Sequence, residues 1–175
     1  MTLDPELTFQ QVNIAVLTVS DTRTPLTDRS GDTLVARVGA SGHRVAARDI
    51  VTDTIDEIEA VLVRWIADPE IDVVISTGGT GITGRDITPE AFRRVLDKEI
   101  PGFGELFRMQ SFAKIGASAM FSRATGGVAN GKYLFALPGS PGAVADAWDG
   151  ILAAQLDSRN KACTLLQLMP RLRES

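Results

Sequence analysis

Between positions 77 and 90 the chain reads Thr77-Gly78-Gly79-Thr80-Gly81, then Arg85-Asp86, then Thr88-Pro89-Glu90. The small residues at 78–81 let backbone amides turn inward and approach an anion with no Cβ in the way. Asp86 offers a carboxylate five residues on, and Glu90 lies on the first turn of the helix that Thr88 and Pro89 open. A carboxylate beside a phosphate-binding nest suits Mg2+, which takes one or two protein oxygens and completes its shell with phosphate oxygens and water. Spacing leaves another reading of Asp86 open: a charge at a helix N-terminus, or an ion pair with Arg85, contributing about 0.3–1 kcal/mol. Asp53, at the end of an apolar run, has the same two readings, helix cap or ligand carboxylate.

Other chemistries are excluded by what is missing. Gly79-x-Gly81-x-x-Gly84 has dinucleotide-binding spacing, but it follows the third strand-like run, its helix begins only near Pro89, and no ribose-binding acid on a strand lies about 20 residues on. Gly79-x-x-x-x-Gly84 starts like a P-loop, yet Arg85-Asp86 stands where Lys and Ser or Thr are required. The single histidine, His43 in Gly42-His43-Arg44, is expected as an exposed turn residue and not as the base of a triad. Cys163 has one cation nearby and no base, so a buried or half-buried free thiol is expected. One cysteine and one histidine exclude an internal disulfide and a Cys/His zinc cluster.

Carboxylates and glycine turns need a frame to converge. Val12 to Val19, Arg44 to Val51, Ile71 to Ser76 and Lys132 to Leu137 read as strands, the first and last as buried apolar runs. Helical periodicity falls between them: a short helix at Leu34, Val35 and Val38, a second opened by the capping-box spacing of Thr54 and Glu57, and a third with Thr88 as N-cap. Pro101-Gly102-Phe103-Gly104 ends that helix, Glu105 to Lys114 forms another, and Ala117 to Arg123 fits strand or helix. Ser140 caps a last long helix begun by Pro141. Thr22 to Asp32 is expected as a long polar loop. Strands alternating with helices predict an α/β fold with a doubly wound, mostly parallel sheet, and ligands bind at the carboxyl ends of such strands. Ser20-Asp21, Thr77 to Gly81 and Leu137 to Gly142 all lie there.

The 175 residues correspond to one domain, 1–175, at about 150 residues per domain. With 44% hydrophobic and 23% charged residues, the chain is of the ordinary globular class. Eighteen Lys and Arg against 22 Asp and Glu give a net charge of −4 with no basic stripe, so nucleic acid is not expected as a partner. No apolar run approaches the roughly 18 residues of a membrane span, and Met1 to Glu6 lacks the cationic start of a signal peptide, so no membrane partner and a cytoplasmic location are expected.

Thr77 to Gly81 followed by Arg85-Asp86-x-Thr88-Pro89-Glu90 resembles the signature of the MoaB/MogA family of molybdenum cofactor biosynthesis proteins, related to the gephyrin G domain. Leu17 to Asp21, Asp28-x-Ser30-Gly31-Asp32, Pro101 to Glu105, Ser122-Arg123 and Leu137 to Pro141 recur in the family's order, so the resemblance covers about residues 12–157. The stretch Gln155 to Cys163 resembles the B branch more than the MogA branch. This resemblance implies a three-layer αβα, MogA-like molybdopterin-binding fold with 158–175 as a C-terminal appendage. It implies Mg2+-dependent adenylylation of molybdopterin by ATP, with pyrophosphate released, before molybdate insertion. The family's two essential aspartates fall on Asp53 and Asp86, the second mainly for Mg2+ and the first for the metal or nucleotide environment. Substrate contacts carry over to Ser20, Asp21, Ser30, Gly31, Asp32, Thr77, Gly78, Gly79, Thr80, Gly81, Glu90, Ser111, Ser122, Pro138, Gly139 and Ser140. A homo-oligomer, trimer or hexamer, is implied, as are contacts with other molybdenum cofactor biosynthesis proteins. The apolar tail residues Leu165, Leu166, Leu168 and Met169 point the same way. The same resemblance admits a non-catalytic molybdopterin carrier, and more remotely a CinA-like nucleotide hydrolase.

Overall fold

The protein is described by a computed structural model covering residues 3–174; Met1 and Thr2 of the leader reading lie outside the described residues. Six strands, β1 (Asn13–Val19), β2 (Arg44–Val51), β3 (Val73–Thr77), β4 (Lys98–Glu99), β5 (Thr125–Ala129) and β6 (Lys132–Leu137), form one sheet in the order β2-β1-β3-β6-β5-β4. The first four in that order are parallel, and β5 runs antiparallel to both its neighbours. This is the expected doubly wound, mostly parallel αβα arrangement.

The helices are α1 (Arg29–Ala40), α2 (Ile55–Ala67), α3 (Thr88–Val95), α4 (Pro101–Ile115), α5 (Pro141–Ala147), α6 (Ala153–Gln155) and α7 (Leu165–Leu168). Alternate residues of β1 supply the two faces of the sheet, as the pleat requires. Ile14 and Val16 pack with Leu34 and Val38 of α1, Phe103 and Phe107 of α4, and Val144 and Trp148. Ala15 and Leu17 pack with Ile58, Leu62 and Trp65 of α2 and Phe92 of α3.

Several local expectations are corrected. The polar loop ends at Asp28, whose Oδ1 accepts from Gly31 N at 2.9 Å and starts α1, so residues 29–32 are helical. Thr54 stands at the N-cap of α2 but its side chain makes no capping bond, and the Glu57 carboxylate, which would complete the box, is taken by Thr52 N (3.0 Å) and Oγ1 (2.7 Å). Thr88 is inside α3, with Ile87 at the cap. α4 begins at Pro101, and Gly116–Phe121 is a 3₁₀ turn. β5 carries Gly126 and Gly127, where any Cβ would strike Phe135 and Leu96; close packing replaced β-propensity there and hid the strand from the sequence.

His43 is buried, 5% exposed, between Phe9 and Trp148, with Nδ1 accepting from Val12 N at 3.3 Å. Cys163 is exposed. Part of the tail covers the chain's own core: Leu166 is buried, Leu165 and Met169 pack on the α1/α4/α5 face, and Tyr133 Oη donates to Leu165 O at 2.8 Å. Those three residues therefore need no second subunit to shelter them.

Candidate functional site

β1 feeds α1 on one face of the sheet and β3 feeds α3 on the other, so the loops leaving these neighbouring strands diverge. A crevice at the carboxyl ends of the strands is the consequence of that reversal. The glycine turn enters it with Gly78 at φ 106° and Gly79 at φ 63°, conformations L side chains rarely adopt. A Cβ on Gly78 would also drive into Val19 O, and one on Gly139 would lie 3.2 Å from Gly78 Cα. The ends of β1, β3 and β6 thus close on one another through glycine. Gly78 N donates to Leu137 O (3.0 Å), Thr77 Oγ1 to Pro138 O (2.9 Å) and Thr88 Oγ1 to Gly78 O (2.9 Å).

Three aspartates from three loops meet beside this turn. Asp21 and Asp53 exchange bonds: each backbone N–H donates to the other's carboxylate at 3.0 Å, tying the end of β1 to the end of β2. A Cβ on Gly79 would lie 3.2 Å from Asp53 Oδ1, and one on Gly81 2.7 Å from Asp86 Oδ2. Asp86 Oδ2 accepts from Thr83 N (2.8 Å) and Thr83 Oγ1 (2.6 Å). Asp86 is therefore neither a helix cap nor the partner of Arg85, which pairs with Asp21 instead. Asp53 likewise does not cap α2.

Their environments push the carboxyls apart. Burial raises the Asp53 carboxyl above its ordinary value, and the charges of Asp21 and Asp86 add to burial against the Asp21 amide and Arg85. At Asp86 burial also acts upward, but the Thr83 hydroxyl and amide, the Gly81 amide and Arg123 outweigh it and hold the group below the ordinary range. Asp21 is held low by its hydrogen bond from Arg85 and by the Asp53 amide.

Arg123 closes the far side. Its N–H donates to Thr80 O (2.8 Å), its Nε to Gly81 O (2.6 Å), and its two terminal nitrogens to Asp86 O and Glu90 Oε1. Burial acts to raise the Glu90 carboxyl, but Arg123 keeps it below its ordinary range; Glu90 Oε2 is buried and has no hydrogen-bond partner. Neither Arg85 nor Arg123 was singled out as a site residue by sequence; the signal for Arg123 was its place in Ser122-Arg123.

The remaining candidates divide. Ser20 lies at the end of β1, its N–H on Val51 O at 2.9 Å, and Thr80 is buried under the turn. Ser140 Oγ caps α5 by accepting from Ala143 N at 3.2 Å. Ser30, Gly31 and Asp32 are drawn into a different cluster: Ser30 Oγ and Gly31 N donate to Asp28, and Asp32 pairs with Arg48 at 2.8 Å. Ser122 Oγ accepts from Ala124 N at 3.4 Å, beside Arg123. Ser111 is buried in α4.

Among the described residues no three His, Cys, Asp or Glu side chains form a metal-holding group. Asp53 and Asp86, opposite Gly79 and Gly81, instead fit a cation that needs one or two carboxylate oxygens and shares the rest of its shell with phosphate and water. The donor set is hard oxygen only, which suits Mg2+ over softer metals. No helix among the described residues is long and apolar enough to cross a membrane.

Comparison with known proteins agrees with this layout. Residues 15–158 match a family described as a probable molybdopterin binding domain. The chain is 45% identical over 155 residues to molybdenum cofactor biosynthesis protein B of Escherichia coli (strain K12), covering 89% of this chain and 91% of that one. A crystal structure of molybdenum cofactor biosynthesis protein B superposes with a TM-score of 0.85 at 41% identity, over 95% of this chain and 98% of the other. The tungsten cofactor synthesizing protein MoaB from Pyrococcus furiosus superposes with a TM-score of 0.77 at 32% identity, over 94% and 99%.

Proposed function

We propose, for a chain that belongs to the family of probable molybdopterin binding domains and so to molybdenum cofactor biosynthesis, that it is a Mg2+-dependent molybdopterin adenylyltransferase. The observation that carries this reading is the meeting of Asp53 and Asp86 across a glycine nest. A protein that only bound an anionic pterin phosphate would gain nothing from carboxylates there unless a cation lay between them.

In this reading the terminal phosphate of molybdopterin attacks the α-phosphorus of ATP, and pyrophosphate leaves. Asp86, with Asp53 beside it, would hold Mg2+, which would supply neutralisation of charge on the reacting phosphates. Gly78 N is taken by Leu137 O and the Gly81 amide by Asp86, which leaves the Gly79 and Thr80 amides for phosphate oxygens, and no side chain at the glycines blocks the approach. Thr83 fixes Asp86 by two hydrogen bonds, so its carboxylate is oriented before substrate arrives. Thr77, Pro138 and Gly139 hold the β3 and β6 ends together, and Ser20, Asp21 and Ser140 line the same edge for pterin and nucleotide. Positioning and charge neutralisation suffice for phosphoryl transfer, so no nucleophilic side chain is needed.

The same proposal includes a homo-oligomer, trimer or hexamer. Its support is now a different surface: Leu106, Met109, Phe112 and Ile115 on the outer face of α4, with Met120 and Phe121 next to it, are all exposed, Met120 by 72%. Six large apolar side chains in one patch suit a subunit contact.

The test is to incubate protein, molybdopterin and labelled ATP with Mg2+ or with EDTA and follow pyrophosphate and adenylyl-molybdopterin. Product formed only with Mg2+ is expected. A preparation that binds molybdopterin and makes no such product is a carrier.

A further inference from the structure

We propose that Arg123 is the positioning residue of this site: by holding both ends of the Thr80–Glu90 loop it fixes the spacing between the glycine turn and the Asp86 carboxylate. The proposal rests on the adenylyl-transfer reading for its rate consequences and on geometry alone for its structural ones.

Ile82, Thr83, Gly84 and Arg85 are exposed, and the loop's own bonds are short-range ones onto Asp86: Asp86 N donates to Thr83 O at 3.0 Å, and its carboxylate accepts from Thr83 and the Gly81 amide. The Arg123 side chain binds it at three points, Gly81 O, Asp86 O and Glu90 Oε1, while the Arg123 backbone N–H, which every variant at this position keeps, donates to Thr80 O. Thr80 and Gly81 belong to the nest, Asp86 carries the carboxylate, and Glu90 is fixed to the start of α3. One planar side chain therefore ties Gly81 of the nest, the Asp86 backbone and Glu90 together, and holds in place the direct bond from the Gly81 amide to the Asp86 carboxylate.

A guanidinium can do this because its donors diverge in one plane at fixed angles, whereas a lysine ammonium is a point on a flexible stem. The Arg123 side chain is 30% exposed, and its bonds go to the chain itself. Its place is behind the loop, so it acts through Asp86 and the amides and is not a catalytic residue.

The loop's other cations cannot substitute. Arg85 is turned to Asp21 and Arg93 is shared between Glu90 and Glu99. Since Glu90 Oε2 already lacks a partner, removing Arg123 would leave this carboxylate with no strong one, so a second variant that also neutralises Glu90 is needed.

The test uses the full chain as Arg123→Ala, Arg123→Lys and the double variant Arg123→Ala with Glu90→Gln. Hydrogen exchange of the amides at 81–86, turnover, and KM for ATP and molybdopterin are measured with and without millimolar guanidinium chloride, at sodium-matched ionic strength. In Arg123→Ala and in the double variant, exchange at 81–86 should quicken while that of β1 and β3 stays as it was. Turnover should fall by about 100-fold with KM values within about threefold. Guanidinium should restore part of both protection and turnover, and Arg123→Lys should recover less than the rescued alanine variant. Unchanged protection at 81–86 in the double variant would overturn the proposal. So would a large rise in KM with turnover kept, which would place Arg123 on the substrate. A wild-type protein without Mg2+-dependent product defeats the adenylyltransferase reading alone, because loop protection and its rescue still decide the role of Arg123.

Discussion

Near the end of β1, Thr18 Oγ1 donates to Asp28 Oδ2 at 2.7 Å; three residues on, Asp21 faces Asp53. Two aspartate clusters thus share one edge of the sheet, and they differ in how their charge is met. Asp28 is wholly buried, yet Oδ2 also receives Arg48 at 2.8 Å, and Oδ1 receives Gly31 N and Ser30 Oγ. Arg48 serves Asp32 at the same time. In the other cluster three carboxylates are drawn together around glycines, and the cation in direct contact, Arg85, is 64% exposed and committed to Asp21. Burial acts upward on a carboxylate in each cluster; the Asp28 carboxyl is nonetheless held low, because Thr18, Arg48 and the Gly31 amide outweigh it, while the half-buried Asp53 carboxyl is pushed up. Charge answered from within serves the fold. At Asp53 the charge is not met from within, and the cluster is available there to a cation that arrives with substrate.

The sharpest way to break this comparison is to remove the charge of Asp86 while keeping its shape. Asp86→Asn should lower adenylylation by two or more orders of magnitude, about 2.7 kcal/mol or more of lost barrier lowering. Its melting temperature should fall much less than that of Asp28→Asn, because the Asn oxygen can still accept from Thr83 and the half-exposed site is screened by water, although the lowered carboxyl contributes some stability. Product formation and thermal melting on the same preparation check this; early melting with turnover retained would move Asp86 to the structural cluster.

Next in size is Asp28→Asn, expected to cost roughly 2 kcal/mol of stability, the loss of charge-assisted bonds at a buried site. The folded carboxyl lies below its unfolded value of 3.8, so its stabilisation is present above that value and is lost as pH falls through the folded one. The cost of Asp28→Asn should therefore be full at neutral pH and shrink as pH drops below about 4. Urea unfolding at several pH values measures it, and a cost that stays constant down to pH 3 would show that the charge contributes nothing.

The difference between the clusters also explains what could be read in the sequence. Glycine turns, strand ends and the Pro-initiated helices are local signals, so the sheet edge and the Thr77 to Glu90 loop were legible. That Asp53 lies against Gly79 was not, because it depends on β1 lying between β2 and β3. Ser30, Gly31 and Asp32 were named as substrate contacts only through the family resemblance; their partners within the chain, Asp28 with Thr18 of β1 and Arg48 of β2, depend on tertiary contacts that no local pattern carries. His43 read as an exposed turn residue because its burial comes from Phe9 and Trp148, distant in the chain. Arg123 was legible only as part of Ser122-Arg123 and its role was not, since its partners Thr80, Gly81, Asp86 and Glu90 lie far back in the sequence.

The smallest expected effect is the most discriminating, because it has the opposite sign. Asp53→Asn makes in the second cluster the change that Asp28→Asn makes in the first. The folded Asp53 carboxyl lies above its unfolded value of 3.8, so the native state binds its proton more tightly than the unfolded chain does. Stability is therefore lost at this site as pH rises from that value through the folded one, and at neutral pH the ionised group opposes folding. Removing the charge relieves its repulsion with Asp21 and Asp86, while the Asn oxygen can still accept from Asp21 N. Asp53 is partly open to water, which screens that repulsion, so the gain at pH 7 should be less than about 1 kcal/mol. It should vanish below about pH 4, where the wild-type group is itself protonated. In wild-type protein, saturating Mg2+ should raise the melting temperature by meeting the same charge, and Asp53→Asn should shrink that rise. A loss of stability at pH 7 matching that of Asp28→Asn would show that both clusters serve the fold, and the distinction between them would fail.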